Sequence, residues 1–298
     1  MCSSDLSRPP PDPDFALCPD RRGTGSEKWD RWPGEDVVPV WVADMDFRAP
    51  AAVLDAIRDR VDHGVFGYTA DPPGFAPALA AHLAARHAWS IDPDSVVGTP
   101  GVVTGLALSA RLLAGPDDEI VTFAPVYPPF LSLPGAAGRR CTRVALVADA
   151  GAPSGWSIDF DALRAAITPR TKLLWLCHPH NPTGTVFSRA DLLGIADVAA
   201  RHGVTVVSDE IWSDLVLDEA LGHVPFASLD HPAARKAITL TAPSKTWNLA
   251  GLACAAAILP DAGMKARWRP AGGGLVPMVN PLGYAAAEAA WQIGRAHV

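Results

Sequence analysis

Val204-Thr205-Val206-Val207-Ser208-Asp209 is a β-branched, apolar run that ends in an acid. Such a run reads as a strand buried in the middle of a sheet, with its last side chain at the carboxyl end. The stretch ahead of it carries helix punctuation. Ser188 stands at an N-cap, Asp191 occupies the capping-box position three residues on, and Gly203 follows the last turn. A helix leading directly into a buried strand is half of a βαβ unit, so the neighbouring segments should repeat the pattern.

They do. Six further short runs have strand character: Ser95-Val96-Val97, Glu119 to Phe123, Arg143 to Val147, Lys172 to Cys177, Ala237 to Thr241 and Cys254 to Leu259. Helical stretches lie between them. One of these opens at Pro50, repeats apolar residues at Val53, Ile57 and Val61, and stops at Gly64. The reading is an α/β fold with a mostly parallel seven-stranded sheet and helices on both faces. Residues 1–45 are expected to form an irregular arm, 46–285 one large domain, and 286–298 the beginning of a helix leading elsewhere.

Composition narrows the function. The 298 residues are 49% hydrophobic and 19% charged, which allows a sizeable core. A net charge of -7 gives no basic field for nucleic acid or an anionic membrane. No run has the length of a membrane span, and the N-terminus lacks signal-peptide character, so a cytoplasmic location is expected. Cys2, Cys18, Cys141, Cys177 and Cys254 are scattered, without a Cys-x-x-Cys pair, which suggests neither a disulfide framework nor a zinc site. His178 and His180 have no carboxylate or cysteine at ligand spacing, and the other seven histidines show no grouping, so no metal is expected.

In an open α/β sheet, ligands sit beyond the carboxyl ends of the strands. Five candidates lie there: Gly101, Tyr127, Asn181, Asp209 and Lys245. A carboxylate at the tip of a buried strand needs a cationic partner, and a protonated ring nitrogen is one; a cap or a salt bridge is the plainer role for Asp209. Lys245 follows an apolar strand, where desolvation would lower an ammonium pKa enough for nucleophilic attack; otherwise it is an exposed loop lysine. Gly98 to Gly105 turns from strand into helix, so its backbone N–H groups suit a phosphate, although the glycines fit neither a Walker loop nor a dinucleotide fingerprint. Tyr127 either stacks on an aromatic ligand or fills space.

In combination, Asn181-Pro182-Thr183-Gly184, Ser208-Asp209-Glu210-Ile211 and Ser244-Lys245-Thr246 resemble, in that order, the motifs of fold-type-I enzymes dependent on pyridoxal 5'-phosphate (PLP), the class I/II aminotransferase superfamily. Lys28-Trp29-Asp30, Trp41 to Phe47, Phe66-Gly67-Tyr68-Thr69 and Pro179 to Gly184 look most like its MalY/PatB group of carbon-sulfur β-lyases, often called cystathionine β-lyases. The resemblance runs from about Arg21 to about Trp291.

Carried over by position, the resemblance implies that Lys245 forms the Schiff base and acts as the catalytic acid and base. It implies that Asp209 pairs with the pyridine nitrogen, Asn181 bonds the ring hydroxyl, Tyr127 stacks on the ring, and the amides of Gly101, Val102 and Val103 hold the phosphate. Tyr68 would reach the neighbouring subunit's phosphate, which implies a homodimer. The implied reaction is release of thiol, pyruvate and ammonia from a small sulfur amino acid. An aminotransferase shares every one of these residues, and a non-catalytic regulatory protein or inactive fragment on the same scaffold is a third reading. Trp212, His178 and Trp247 depart from the pattern, which commonly has His or Tyr, Asn, and Phe at those places. The C-terminal small domain, with its arginine for the substrate carboxylate, is expected to be largely missing, and Met1 to Leu6 and Ile293 to Val298 to be artefactual.

Overall fold

A computed structural model describes residues 18–34, 36–218 and 221–294. The terminal hexapeptides noted above therefore lie outside the described residues, apart from Ile293 and Gly294. Eight strands follow one another as β1 (Val96–Thr99), β2 (Glu119–Ala124), β3 (Arg140–Ala148), β4 (Trp156–Ile158), β5 (Thr171–Cys177), β6 (Thr205–Asp209), β7 (Ile238–Thr241) and β8 (Ala255–Ile258). They form one sheet in the order β1-β8-β7-β6-β5-β2-β3-β4. β3, β2, β5, β6 and β7 run parallel, whereas β8 is antiparallel to both its neighbours. All seven expected strands are present. The eighth, β4, pairs antiparallel with the outer end of β3 and has only three residues, too short for a period to register.

The helices are α1 (Ala51–His63), α2 (Phe75–His87), α3 (Val102–Leu113), α4 (Pro129–Ala136), α5 (Phe160–Ala166), α6 (Arg189–His202), α7 (Ala262–Trp268) and α8 (Pro281–Ile293). Alternation along the central strands shows why both faces must be covered. Leu173, Trp175 and Cys177 of β5 enter one cluster, which includes Leu106 of α3 and Trp268 of α7. Leu174 and Leu176 enter the opposite one, with Leu163 of α5 and Ile195 of α6. Successive strand side chains point to opposite faces, so a strand apolar at every position requires helices on both. A third cluster joins α1, α2 and α8, through Val53, Leu79, Ala287 and Trp291, to Val96 and Ala256 at the β1–β8 edge.

Helix ends follow the sequence closely. Ser188 and Asp191 close a capping box, with Asp191 N–H on Ser188 Oγ at 3.1 Å and Ser188 N–H on Asp191 Oδ2 at 2.9 Å. Gly203 ends α6 in the left-handed region at φ 68°. Pro50 is the N-cap of α1 and not its first helical residue, a shift of one position. Gly105 lets α3 lie directly on β7, because a Cβ there would come within 2.7 Å of Leu240 Cδ2. Among the described residues no helix is long and apolar enough to cross a membrane.

The capping box gives a direct stability test. Ser188→Ala removes an N-cap hydroxyl whose loss costs about 1 kcal/mol, while Ser188→Thr keeps it. Urea unfolding should show the lower midpoint for alanine, with an unchanged m-value, and near-parent stability for threonine.

Candidate active site

The carboxyl ends of β5 and β6 build the floor of the site. Cys177 and Asp209 are register partners there. Asp209 is 4% exposed, and its Oδ1 accepts the Ile211 N–H at 3.1 Å. Burial pushes its carboxyl up to about 7; the hydrogen bond from Ile211 opposes this, the charge of Glu210 adds to it, and the nearby ammonium of Lys245 opposes it. Burial, with the charge of Asp209, also pushes the Cys177 thiol well up, so it is an inert neighbour and not a nucleophile. Glu210, the next residue, has a different environment. Its carboxylate accepts Ser208 Oγ–H at 2.8 Å and Phe226 N–H at 2.9 Å, and meets His223 Nε2 at 3.0 Å. Of two adjacent buried acids, one has three polar partners within the protein and the other accepts one backbone N–H.

Lys245 lies in a tight turn held by Trp247 N–H on Pro243 O and Leu249 N–H on Ser244 O, both at 3.0 Å. Its Nζ donates to Ala43 O at 3.0 Å and stands 5.4 Å from the centroid of the Trp212 ring. Burial lowers the pKa of this ammonium, against the pull of Asp44 and Asp209. A lowered lysine pKa enlarges the neutral fraction that attacks a carbonyl or takes a proton.

The acceptor on Lys245 comes from the N-terminal arm, and Asn248 ties that arm down. Its Oδ1 accepts Met45 N–H at 3.0 Å, and its Nδ2 donates to Met45 O at 2.9 Å and Phe47 O at 2.8 Å. Arg21 grips Asp44 at 2.6 Å and Asp46 at 2.8 Å, and Lys28 and Trp29 Nε1 each reach Asp46 at 2.8 Å. The sequence segments Lys28-Trp29-Asp30 and Trp41 to Phe47 thus form one structural unit. The sequence assigned no role to Ala43 or Asn248, because their contacts join segments about two hundred residues apart and leave no periodic trace.

On the other side, Gly101 caps α3 at φ 101° and ψ 151°, with nothing within 4 Å of where a Cβ would stand. The N–H groups of Val102 and Val103 open the helix at its positive end, next to that free space. Tyr127 N–H donates to Asn181 O at 3.0 Å, which joins the ends of β2 and β5, and Tyr127 is 40% exposed. Asn181, His180, Trp212 and Leu215 line a cavity of about 390 Å³. His180 lies between Pro125 O at 2.8 Å and Cys177 O at 3.2 Å, and His178 meets Val224 O at 3.1 Å while its backbone N–H holds Asp209 O at 2.9 Å. Burial lowers both imidazole pKa values, and both residues fix the strand-end backbone. Tyr68 is fully exposed.

PLP fits the residues present. Its ring nitrogen would supply the charge that Asp209 lacks, its carbonyl suits the amine of Lys245, and its phosphate suits the open helix end at Gly101.

The comparisons with known proteins agree with this fit. Residues 36–290 match the family model described as aminotransferase class I and II. Cystathionine beta-lyase PatB of Bacillus subtilis (strain 168) is 42% identical over 286 residues, which are 92% of this chain and 72% of PatB. Cystathionine beta-lyase of Corynebacterium glutamicum is 36% identical over 90% of this chain and 69% of its own length. Among solved structures, cystalysin from Treponema denticola, which contains PLP, superposes with a TM-score of 0.86 at 30% identity, over 94% of this chain and 72% of that one.

The pKa of Asp209 sets a pH test on cofactor-free protein. A carboxyl raised in the folded state binds its proton more tightly there than in the unfolded chain. Its cost to stability is therefore absent below about pH 4, grows as the pH rises toward 7 and is complete above that. Asp209→Asn should be more stable than the parent at pH 8, by roughly 2–4 kcal/mol, with the difference vanishing near pH 4 in urea titrations.

Proposed function

This chain belongs to the class I and II aminotransferase family, and from that premise we propose that it is a PLP-dependent carbon-sulfur β-lyase of the cystathionine β-lyase type. The observation that carries the reading is the 42% identity to PatB across 92% of the chain, together with a buried acid and a half-buried lysine at the ends of neighbouring elements. PLP, when bound, supplies an electron sink that stabilises negative charge at the substrate α-carbon.

The chain's own residues supply the rest. Asp209 keeps the ring nitrogen protonated, because a carboxylate at the end of a buried strand is strongly stabilised by a cation and costly without one. Asn181 donates to the ring hydroxyl, Tyr127 stacks on the ring face, and the amides of Gly101, Val102 and Val103 hold the phosphate. Lys245 anchors the cofactor. Once displaced by the substrate's amino group, its amine takes the proton from the α-carbon and returns one to the departing sulfur. The lowered pKa favours the first task, and Ala43 O gives the amine a fixed acceptor between the two. Breakage of the β-carbon–sulfur bond then gives a thiol and, after hydrolysis, pyruvate and ammonia.

Trp212 stands where a hydrogen-bond donor to the ring hydroxyl is usual, and its ring is placed to face the ammonium of Lys245 instead. Asn181 would then hold the hydroxyl without help from that side. Tyr68, with Phe66 and Val65, is an exposed apolar stretch, which supports a homodimer in which Tyr68 reaches the neighbouring phosphate. The substrate is a small amino acid, and the absence of a basic surface field supports a reading without nucleic acid.

An aminotransferase would share these residues and consume a keto acid. With PLP-loaded protein, pyruvate should form from cystathionine with no keto acid present; strict keto-acid dependence would reassign the chain. Lys245→Ala should lower pyruvate release by at least about a thousandfold, in line with loss of a proton-transfer group and the covalent anchor. Borohydride should fix the cofactor to the Lys245 peptide of the parent and to no peptide of the variant, as read by mass spectrometry.

A further inference from the structure

Behind the site, three side chains with no part in the chemistry above converge. His82 and His87 lie toward the end of α2, and Asp214 lies in the turn that follows β6. His82 Nε2 is 3.0 Å from Asp214 Oδ2, and His87 Nε2 is 2.9 Å from Asp214 Oδ1. The three ligand atoms all lie within 4.8 Å of one another, and each side chain is less than a tenth exposed. In a four-coordinate zinc site with bonds of 2.0–2.1 Å, neighbouring ligand atoms are about 3.3 Å apart. The two histidine–aspartate spacings come within a few tenths of an ångström of that arrangement, while the two imidazole nitrogens, within 4.8 Å of each other, would draw together around the ion.

We propose that His82, His87 and Asp214 form a binding site for a divalent transition metal of the zinc type, with the fourth position taken by water from the adjoining cavity. Two imidazoles and one carboxylate are the donor set of a borderline ion and not of calcium or magnesium, which prefer oxygen. The adjoining cavity, lined by His87, Ser213, Asp214 and His223, opens to solvent and gives the ion an entry path. Each imidazole would coordinate through Nε2, the nitrogen that already faces Asp214. His82 Nδ1 is buried without a hydrogen-bond partner, so the site lacks the outer acceptor that tightens a histidine ligand. Its affinity is therefore moderate.

The ion would join elements that carry the catalytic groups. The His82 ring packs 5.4 Å from that of Trp247, two residues beyond Lys245, and Asp214 stands two residues beyond Trp212, whose ring faces Lys245 Nζ. Bound metal cross-links α2 to the β6 turn and braces the lysine turn against both. Its role is structural, and it does not depend on which reaction the site performs.

The test uses untagged, PLP-loaded protein stripped with a chelator and titrated with Zn(II) against a chromophoric competitor. One equivalent should bind, and the thermal midpoint should rise. His87→Gln and Asp214→Asn should each weaken binding at least tenfold and abolish the rise, while His202→Gln, on the exposed face of α6, should change neither. Near-UV circular dichroism checks that each variant keeps its fold, and the parent titration stands without any variant. Failure of the parent to bind zinc at micromolar concentration overturns the proposal, as does binding that persists in both site variants.

Discussion

One buried carboxylate organises this molecule. Asp209 ends a strand that is apolar on both faces, in a place where water cannot reach it and the protein offers it little positive charge. The contrast with Glu210 is instructive, because the two acids are adjacent and almost equally buried. Glu210 is met by a hydroxyl, a backbone amide and an imidazole, and is a structural residue. Asp209 is left with one backbone N–H and the partial compensation of the Lys245 ammonium, which makes no ion pair with it, an arrangement that costs stability unless a cation arrives from outside. The fold thus leaves a buried acid short of positive charge, which the ring nitrogen of the proposed site would supply.

Around that constraint, the chain supplies orientation. Sheet order brings the ends of β1, β2, β5, β6 and β7 to one edge, and each end contributes one group. The arm closes the opposite side, with Asn248 holding residues 45–47 and Ala43 O resting on Lys245. The ion-pair network of Arg21, Lys28, Asp44 and Asp46 therefore stiffens the surroundings of the lysine, although none of its members touches the lysine amine. That is a physical reason for so polar a cluster to lie in an otherwise irregular segment.

Much of this was legible in the sequence, and the limits have physical causes. The buried strands were visible because a short, continuously apolar run between capped helices can bury all its side chains only as a strand covered on both faces. α6 was readable to the residue because capping is local chemistry. The strand-end residues could be singled out because strand ends are where an α/β sheet exposes backbone and side chains to a ligand. β4 was missed because three residues carry no period. The arm's grip on Asn248 and the meeting of His82, His87 and Asp214 were invisible for another reason. Both depend on tertiary approach between segments with no shared pattern, and the histidines, five residues apart near a helix end, resemble scattered surface residues.

The claim that a buried Asp209 awaits a cation is tested most directly by its own titration. With aspartate labelled at the side-chain carboxyl carbon, and Asp209→Asn used to assign the signal, NMR of the cofactor-free chain should show Asp209 titrating near pH 7. In the PLP-loaded chain the same carboxyl should remain ionised across the neutral range. An ordinary carboxylate titration near pH 4 in the free chain, or a titration unmoved by loading, would contradict the account.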